Sequence, residues 1–387
     1  MRIGVPKESA PTERRVALVP DTLGRLVKVG MEVLVESGAG EAAYFSDEMY
    51  QEAGGTVVPD VPSLLGNAEV VLKVQAPGMN DVLGKHEVDM MAEGAILIAL
   101  LQPLINLELV QRLVDKGITS FSMDTIPRIA RAQSMDALSS MSSLAGYKAA
   151  LMAASTLGKY FPMMMTAAGT YPPARGLVLG AGVAGLQAIA TARRLGAVMQ
   201  AFDVRPAVKQ EVESLGATFV GMTPAGEEVE DTGGYARELA QGTQRQEREL
   251  IHRHTREADF VITTALVPGR PAPILITGDM VKDMKPGSVI VDLAAEAGGN
   301  CELTVPGAEV VKYGVTIQGY LNLPSTMPTH ASQMYSRNIS TLLLHLVKDN
   351  QLSLDFEDTI TRGCCITHQG NVVYGPTQAL LGKGAMS

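Results

Sequence analysis

The run Gly176-Leu177-Val178-Leu179-Gly180-Ala181-Gly182-Val183-Ala184-Gly185 constrains the fold more than any other stretch of the chain. Its first four residues read as a short buried strand, the Gly180-x-Gly182-x-x-Gly185 spacing as a tight turn, and residues 183–195 as a helix. A strand that turns through glycines directly into a helix leaves backbone N–H groups pointing outward, and the helix dipole adds to their attraction for an anion. The first glycine permits the turn, the second a close approach by a phosphate, and the third packing of helix against strand. With 39 glycines in the chain the spacing alone is a weak signal. Its context is stronger, because the next strand candidate, 199–202, ends on Asp203, near the position where a carboxylate accepts hydrogen bonds from a ribose. A tight turn with no ligand is the structural alternative. The dinucleotide reading is preferred, and Asp203, which would repel a 2′-phosphate, favours NAD(H) over NADP(H). Val204 and Arg205 follow in the same turn; Arg205 could hold such a phosphate or face solvent.

β-rich runs alternate with helix-period segments on both sides of this turn. Strand candidates at 2–5, 32–36, 70–74, 95–100 and 118–123 are separated by helical stretches such as 21–29 and 106–116. A second series follows at 176–179, 199–202, 218–220, 260–264 and 289–293. Such alternation implies parallel strands joined by crossover helices. Between the series, residues 134–157 are rich in Ala, Met and Ser without proline and read as one long helix, an inter-domain strut. Near the end, Met334, Ile339, Leu342, Leu343 and Leu346 give 333–347 a helical period, read as the return of the chain to the first domain. The expected fold class is α/β, two doubly wound, Rossmann-like parallel-sheet domains joined by long helices. The first comprises 1–133 plus about 333–387, and the NAD(H)-binding domain about 134–332.

Composition sets outer limits. A chain of 387 residues, 46% hydrophobic and 19% charged, can bury the cores of two globular domains. Its 32 basic and 41 acidic residues give −9 with no basic block, which disfavours nucleic acid. The chain opens without a signal peptide's apolar stretch, and its longest apolar run, around 95–105, is too short to span a bilayer, so no membrane insertion is expected. Cys301, Cys364 and Cys365 form no disulfide framework, and neither they nor the six histidines make a metal-ligand spacing.

A second polar cluster runs from Arg128 through Ile129, Arg131, Gln133 and Asp136 to Ser139. Gln133, Asp136 and Ser139 recur every three residues and would lie close to one face if the helix has begun. Such a set could fix a nicotinamide and its ribose across an inter-domain cleft; a capped, solvated helix start is the alternative, and spacing leaves both open. Residues 223–235, acidic with Gly226, Gly233 and Gly234 and ending on Tyr235, could form a mobile flap, although an ordinary surface loop is the preferred reading.

With Arg128-Ile129-Ala130-Arg131-Ala132-Gln133-Ser134-Met135-Asp136, the run Met163 to Arg175, the glycine turn, Thr263-Thr264-Ala265-Leu266-Val267-Pro268-Gly269 and Val291 to Asn300, the chain resembles, nearly end to end, the NAD(H)-binding component of the proton-translocating, Re/Si-specific NAD(P)+ transhydrogenases. The resemblance implies a peripheral homodimer on the cytoplasmic face of the membrane. It would pass hydride to NADP+ held by a separate component, while membrane-spanning subunits move a proton. It also implies roles for Arg128, Ile129, Gln133, Asp136 and Ser139 around the nicotinamide, for Asp203, Val204 and Arg205 at the adenosine ribose, for Ala265 and Leu266 beside the nucleotide, and for Gly234 and Tyr235 on a closing loop. The chain is similar as well to alanine dehydrogenases, the alternative function, with Arg15 and Lys73 at substrate-binding positions. Where those enzymes have their catalytic histidine, this chain has Gln102, which cannot take a proton. A binding module that senses NADH without turnover is the third reading.

Overall fold

The computed structural model describes residues 1–221, 241–267, 269–348 and 351–384. The chain divides into two compact units, Met1–Met141 with Ser325–Ser387, and Ser142–Pro324.

Unit 1 is built on an eight-stranded sheet. Thr56–Val58, Glu32–Glu36, Arg2–Val5, Val70–Gln75, Ile96–Leu100 and Thr119–Ser122 lie side by side in that order and pair in parallel. Cys365–His368 then adds antiparallel to Thr119–Ser122, and Asn371–Val372 closes that edge. The central runs Ile3 to Val5, Val70 to Val74 and Ile96 to Ala99 are buried throughout, as expected where helices cover both faces of a parallel sheet. Helix Pro328–Leu346 starts five residues earlier than its apolar period suggests, because Pro328 takes the first helical position, where no N–H is needed. Its buried serines are used: Ser332 Oγ accepts from Val16 N at 3.0 Å and Ser336 Oγ from Val19 N at 3.1 Å. They satisfy the backbone of an irregular buried segment that no strand pairs with.

Unit 2 holds a seven-stranded sheet in the order Thr218–Phe219, Val198–Phe202, Arg175–Leu179, Phe260–Thr263, Val289–Asp292, Val315–Gln318, Glu309–Lys312, parallel except at the last strand. After Arg175–Leu179 the chain builds outward on one side and then crosses to the other at Phe260–Thr263. The switch therefore falls at the carboxyl end of Arg175–Leu179, where open α/β sheets form their ligand crevice. One core packs Val178, Phe260 and Ile262 against Ile189 and Ala192 of helix Val183–Arg194; the other packs Leu177, Leu179 and Val261 against Ile251 and Ile276.

The long helix is Ala137–Thr156, preceded by a 3₁₀ turn over Ala130–Met135. Its start at 137 rather than 134 corrects the strut expectation, and the unit boundary falls within it, after Met141. The chain re-enters unit 1 at Ser325, earlier than about 333, because all of helix Pro328–Leu346 belongs there.

Candidate functional site

Gly180 has φ +99, a left-handed backbone that favours glycine, and a Cβ there would lie 2.6 Å from Thr264 Oγ1. Thr264 Oγ1 instead donates to Gly180 O at 2.8 Å, joining the turn to the end of the neighbouring strand. A Cβ on Gly185 would meet Gly180 O at 1.9 Å, so the first turn of helix Val183–Arg194 folds directly onto the glycine loop. Gly182, the N-cap, is different: a Cβ there meets nothing within 4 Å, and no side chain caps the helix. Val183 is exposed and Ala184 half-buried. The helix start thus presents N–H donors without a capping side chain beside open space, an arrangement that fits a pyrophosphate. Helix Ala137–Thr156 braces it from behind, where Gly146 comes so close that a Cβ would stand 2.0 Å from Ala184 O. Sequence spacing gives no sign of that approach.

Asp203 follows strand Val198–Phe202 and is only 6% exposed. Its Oδ2 accepts from Ala181 N at 2.8 Å, fixing the carboxylate against the glycine turn. Arg205 does not face away: its backbone N and Nε donate to Oδ1, each at 2.9 Å, and its Nη2 to Oδ2 at 2.9 Å. These four donors use the accepting positions of the carboxylate. A ribose diol can therefore dock on Asp203 only as the Arg205 guanidinium gives way. Val204 is half-buried against the Leu177 and Leu179 core.

Ala265 and exposed Leu266 lie just beyond strand Phe260–Thr263. Two residues not singled out from sequence hold them. Asn300 Oδ1 accepts from Ala265 N at 2.9 Å, and its Nδ2 donates to Ala265 O and Pro273 O, each at 2.8 Å. Asp292, buried at the end of its strand, accepts from Thr263 Oγ1, Ala294 N, Asn300 N, Cys301 N and Thr304 Oγ1 at 2.6–3.0 Å. The available signal was a carboxylate ending an apolar strand and followed by Gly298-Gly299-Asn300, whose glycines both have positive φ and turn the loop back.

In unit 1, Arg128 and Ile129 are exposed and lead into the 3₁₀ turn, which carries exposed Gln133. Asp136 caps helix Ala137–Thr156, its Oδ1 accepting from Ser139 N at 2.9 Å and its Oδ2 from Ser139 Oγ at 2.5 Å. The expected single helix face for Gln133, Asp136 and Ser139 is corrected accordingly: Asp136 and Ser139 pair, while Gln133 belongs to the preceding turn. Gly234 and Tyr235, with the whole 223–235 segment, lie outside the described residues.

Arg15 and Lys73 sit in a buried ion cluster of unit 1. Arg15 Nε and Nη2 donate to Glu13 Oε1 and Oε2 at 2.7 and 2.6 Å, and Gln75 Nε2 donates to Glu13 Oε2 at 2.8 Å. Lys73 Nζ lies between Glu87 at 3.0 Å and Glu8 at 3.3 Å, and Tyr335 donates to its backbone oxygen at 2.7 Å. Both cations are thus paired with the chain's own carboxylates. Gln102 is exposed, with left-handed φ +49, and its N donates to Asp124 Oδ1 at 3.2 Å.

Burial alone would raise the Glu13 carboxyl, but the hydrogen bonds and charge of Arg15, with Gln75, hold it at about 2. Its pKa is depressed on folding, so its contribution is complete above the unfolded value of 4.5 and is lost as pH falls toward 2. Wild type should therefore lose on the order of 3 kcal/mol more stability than Glu13→Gln between pH 6 and pH 2. Denaturant midpoints of both proteins across that range check this; parallel acid losses would contradict it.

The family described as alanine dehydrogenase/PNT, N-terminal domain, matches residues 4–145, and its C-terminal domain matches 149–375. The chain is 48% identical over 388 aligned residues, with all of both chains covered, to an NAD(P) transhydrogenase subunit alpha of Rhodospirillum rubrum. It is 30% identical to alanine dehydrogenase of Bacillus subtilis, covering 97% of this chain and 93% of that one. Among solved structures, transhydrogenase from Sinorhizobium meliloti superposes with a TM-score of 0.86 at 43% identity, covering 96% of this chain and 100% of that one. The chain belongs to the alanine dehydrogenase/PNT family and, within it, to the NAD(P) transhydrogenase alpha subunits.

Proposed function

We propose that this chain binds NAD(H) and passes hydride between it and NADP(H) held by a partner component, in a complex whose membrane-spanning subunits translocate protons. The observation that carries the reading is the glycine turn, with its helix N-terminus uncapped and open over Gly182 and the Asp203 carboxylate fixed beside it through Ala181 N. The N–H groups at the start of helix Val183–Arg194 would hold the pyrophosphate, with Gly180 and Gly185 shaping the turn and Ala265 and Leu266 beside it. Asp203 would take the adenosine ribose as Arg205 yields. Arg128, Ile129, Gln133, Asp136 and Ser139 would orient the nicotinamide end, and Gly234 and Tyr235 belong to the proposed closing loop.

The bound nucleotide supplies hydride at its nicotinamide C4. Transfer between two nicotinamides moves no separate proton at the reacting carbons, so the chain need only align the ring and exclude water. Gln102 at the histidine position is compatible with that and not with amine oxidation. Lys73 and Arg15, each occupied by internal carboxylates, also lack the vacant charge an amino or oxo acid would require. A homodimer is part of the proposal, supported by hairpin strands Met164–Thr166 and Gly169–Tyr171, where Met165 is 80% exposed. Attachment at the inner face of the membrane would come through partners, for no helix among the described residues is long and apolar enough to cross one.

Mixed with the NADP(H)-binding component, NADH and a reducible NADP+ analogue, the chain should transfer hydride rapidly. Alone with NAD+ and L-alanine it should form no NADH. Stopped-flow absorbance follows both reactions. Silence of the mixture with a folded, nucleotide-loaded partner would refute the proposal, and turnover of alanine would support the dehydrogenase reading.

A further inference from the structure

The polar run from Arg128 to Asp136 contains one residue turned to a different task. Arg131 forms a bidentate pair with Asp358, Nη1 to Oδ2 at 3.0 Å and Nη2 to Oδ1 at 2.8 Å, across 227 residues of sequence. Asp358 also caps helix Thr359–Cys364 through Ile360 N at 2.8 Å, and His345 Nε2 lies 3.5 Å from its Oδ2. The same short helix meets the loop again at its beginning, where a Cβ on Gly363 would stand 3.2 Å from Pro127 Cδ. A third tie comes from helix Pro328–Leu346, whose Asn338 Nδ2 donates to Ser134 O at 2.8 Å. The loop has no strand partner, so these ties, with buried Ala132 and Met135, define its path.

Arg131 is 62% exposed, and an exposed pair contributes little to global stability. Two parallel hydrogen bonds nevertheless fix orientation as a single one cannot. We propose that Asp358 is a positioning residue for hydride transfer: through Arg131, and with Gly363 against Pro127, it holds the loop that carries Arg128, Gln133 and Asp136. The inference rests on the function proposed above. It extends the nicotinamide-orienting set to the carboxyl-terminal segment, which touches neither the glycine turn nor Asp203.

Asp358→Ala is expected to lower kcat for transfer in the complete complex by about 5- to 10-fold, since small misplacement of reacting groups is costly. KM should change less than twofold, with little change in melting temperature. Hydrogen exchange of a peptide covering 128–136 should accelerate in the isolated variant while exchange in strand Arg175–Leu179 stays as in wild type. The exchanged pair, Arg131→Asp with Asp358→Arg, should recover most of both effects, which a general loss of folding would not allow. Unchanged exchange at 128–136 overturns the proposal whether or not the wild-type complex transfers hydride. Faster exchange with full kcat also overturns it. If wild type itself fails to transfer while the partner is active, the functional reading falls and exchange alone decides whether Asp358 holds the loop.

Discussion

Gly182→Ala should weaken NADH binding by about 10- to 100-fold with almost no change in thermal stability, whereas Gly185→Ala should abolish binding and destabilise the fold together. The two glycines stand three residues apart in one motif but face different surroundings. A methyl on Gly182 projects into open space, and its φ of −78 suits alanine, so nothing in the protein resists the change. What it would obstruct is a phosphate approaching the helix N-terminus, and removing one or two charge-assisted hydrogen bonds at about 1.5–3 kcal/mol each gives that loss of affinity. A methyl on Gly185 would stand 1.9 Å from Gly180 O and 3.1 Å from Val178 Cγ1, forcing helix and strand apart at an overpacking cost of about 1–3 kcal/mol or more. Titrating nucleotide fluorescence beside thermal melts separates the variants. If Gly182→Ala binds NADH as wild type does, the turn is a structural element and not a phosphate site.

The same turn marks how far the sequence could be read. Strand–turn–helix signals are local, so Arg175–Leu179, the glycine loop and Asp203 at the end of the next strand were all legible from neighbouring residues. The α/β class followed from repeated alternation. Approaches between distant stretches of the chain were not legible. Gly146 in a uniformly small-residue helix carries no mark of its closeness to Ala184, and neither Asn300 beneath Ala265 nor Asp358 beside Arg131 follows any periodicity. The start of helix Ala137–Thr156 was missed for a related reason. Apolar spacing continues through Ala132 and Met135, but the Asp136 carboxylate captures Ser139 N and sets the first helical residue at Ala137. Arg205 illustrates the same limit: proximity in sequence left it either phosphate-binding or solvent-facing, while its guanidinium in fact lies on Asp203.

Gln133→Ala should slow hydride transfer in the complex by about 10- to 100-fold while leaving melting temperature unchanged and NADH affinity of the isolated chain within about threefold. Gln133 is exposed in the 3₁₀ turn, and its side chain hydrogen-bonds to no described residue, so the fold does not depend on it. Its amide remains available to a ligand, and removing an orienting hydrogen bond from a preorganised site shows in the rate before it shows in affinity. Asp136 makes the necessary contrast because it caps a helix. Asp136→Ala should cost about 0.5–2 kcal/mol of stability in addition to any rate loss, whereas Asp136→Asn keeps an oxygen for Ser139 N and should restore most of that stability. Were orientation of the nicotinamide its role as well, Asp136→Asn would remain slow despite its restored melting temperature. Single-turnover transfer rates set against melts of the three variants distinguish the possibilities. A wild-type rate for Gln133→Ala, together with full recovery of rate by Asp136→Asn, would mean that the Arg128 to Ser139 run is a capped helix start and nothing more.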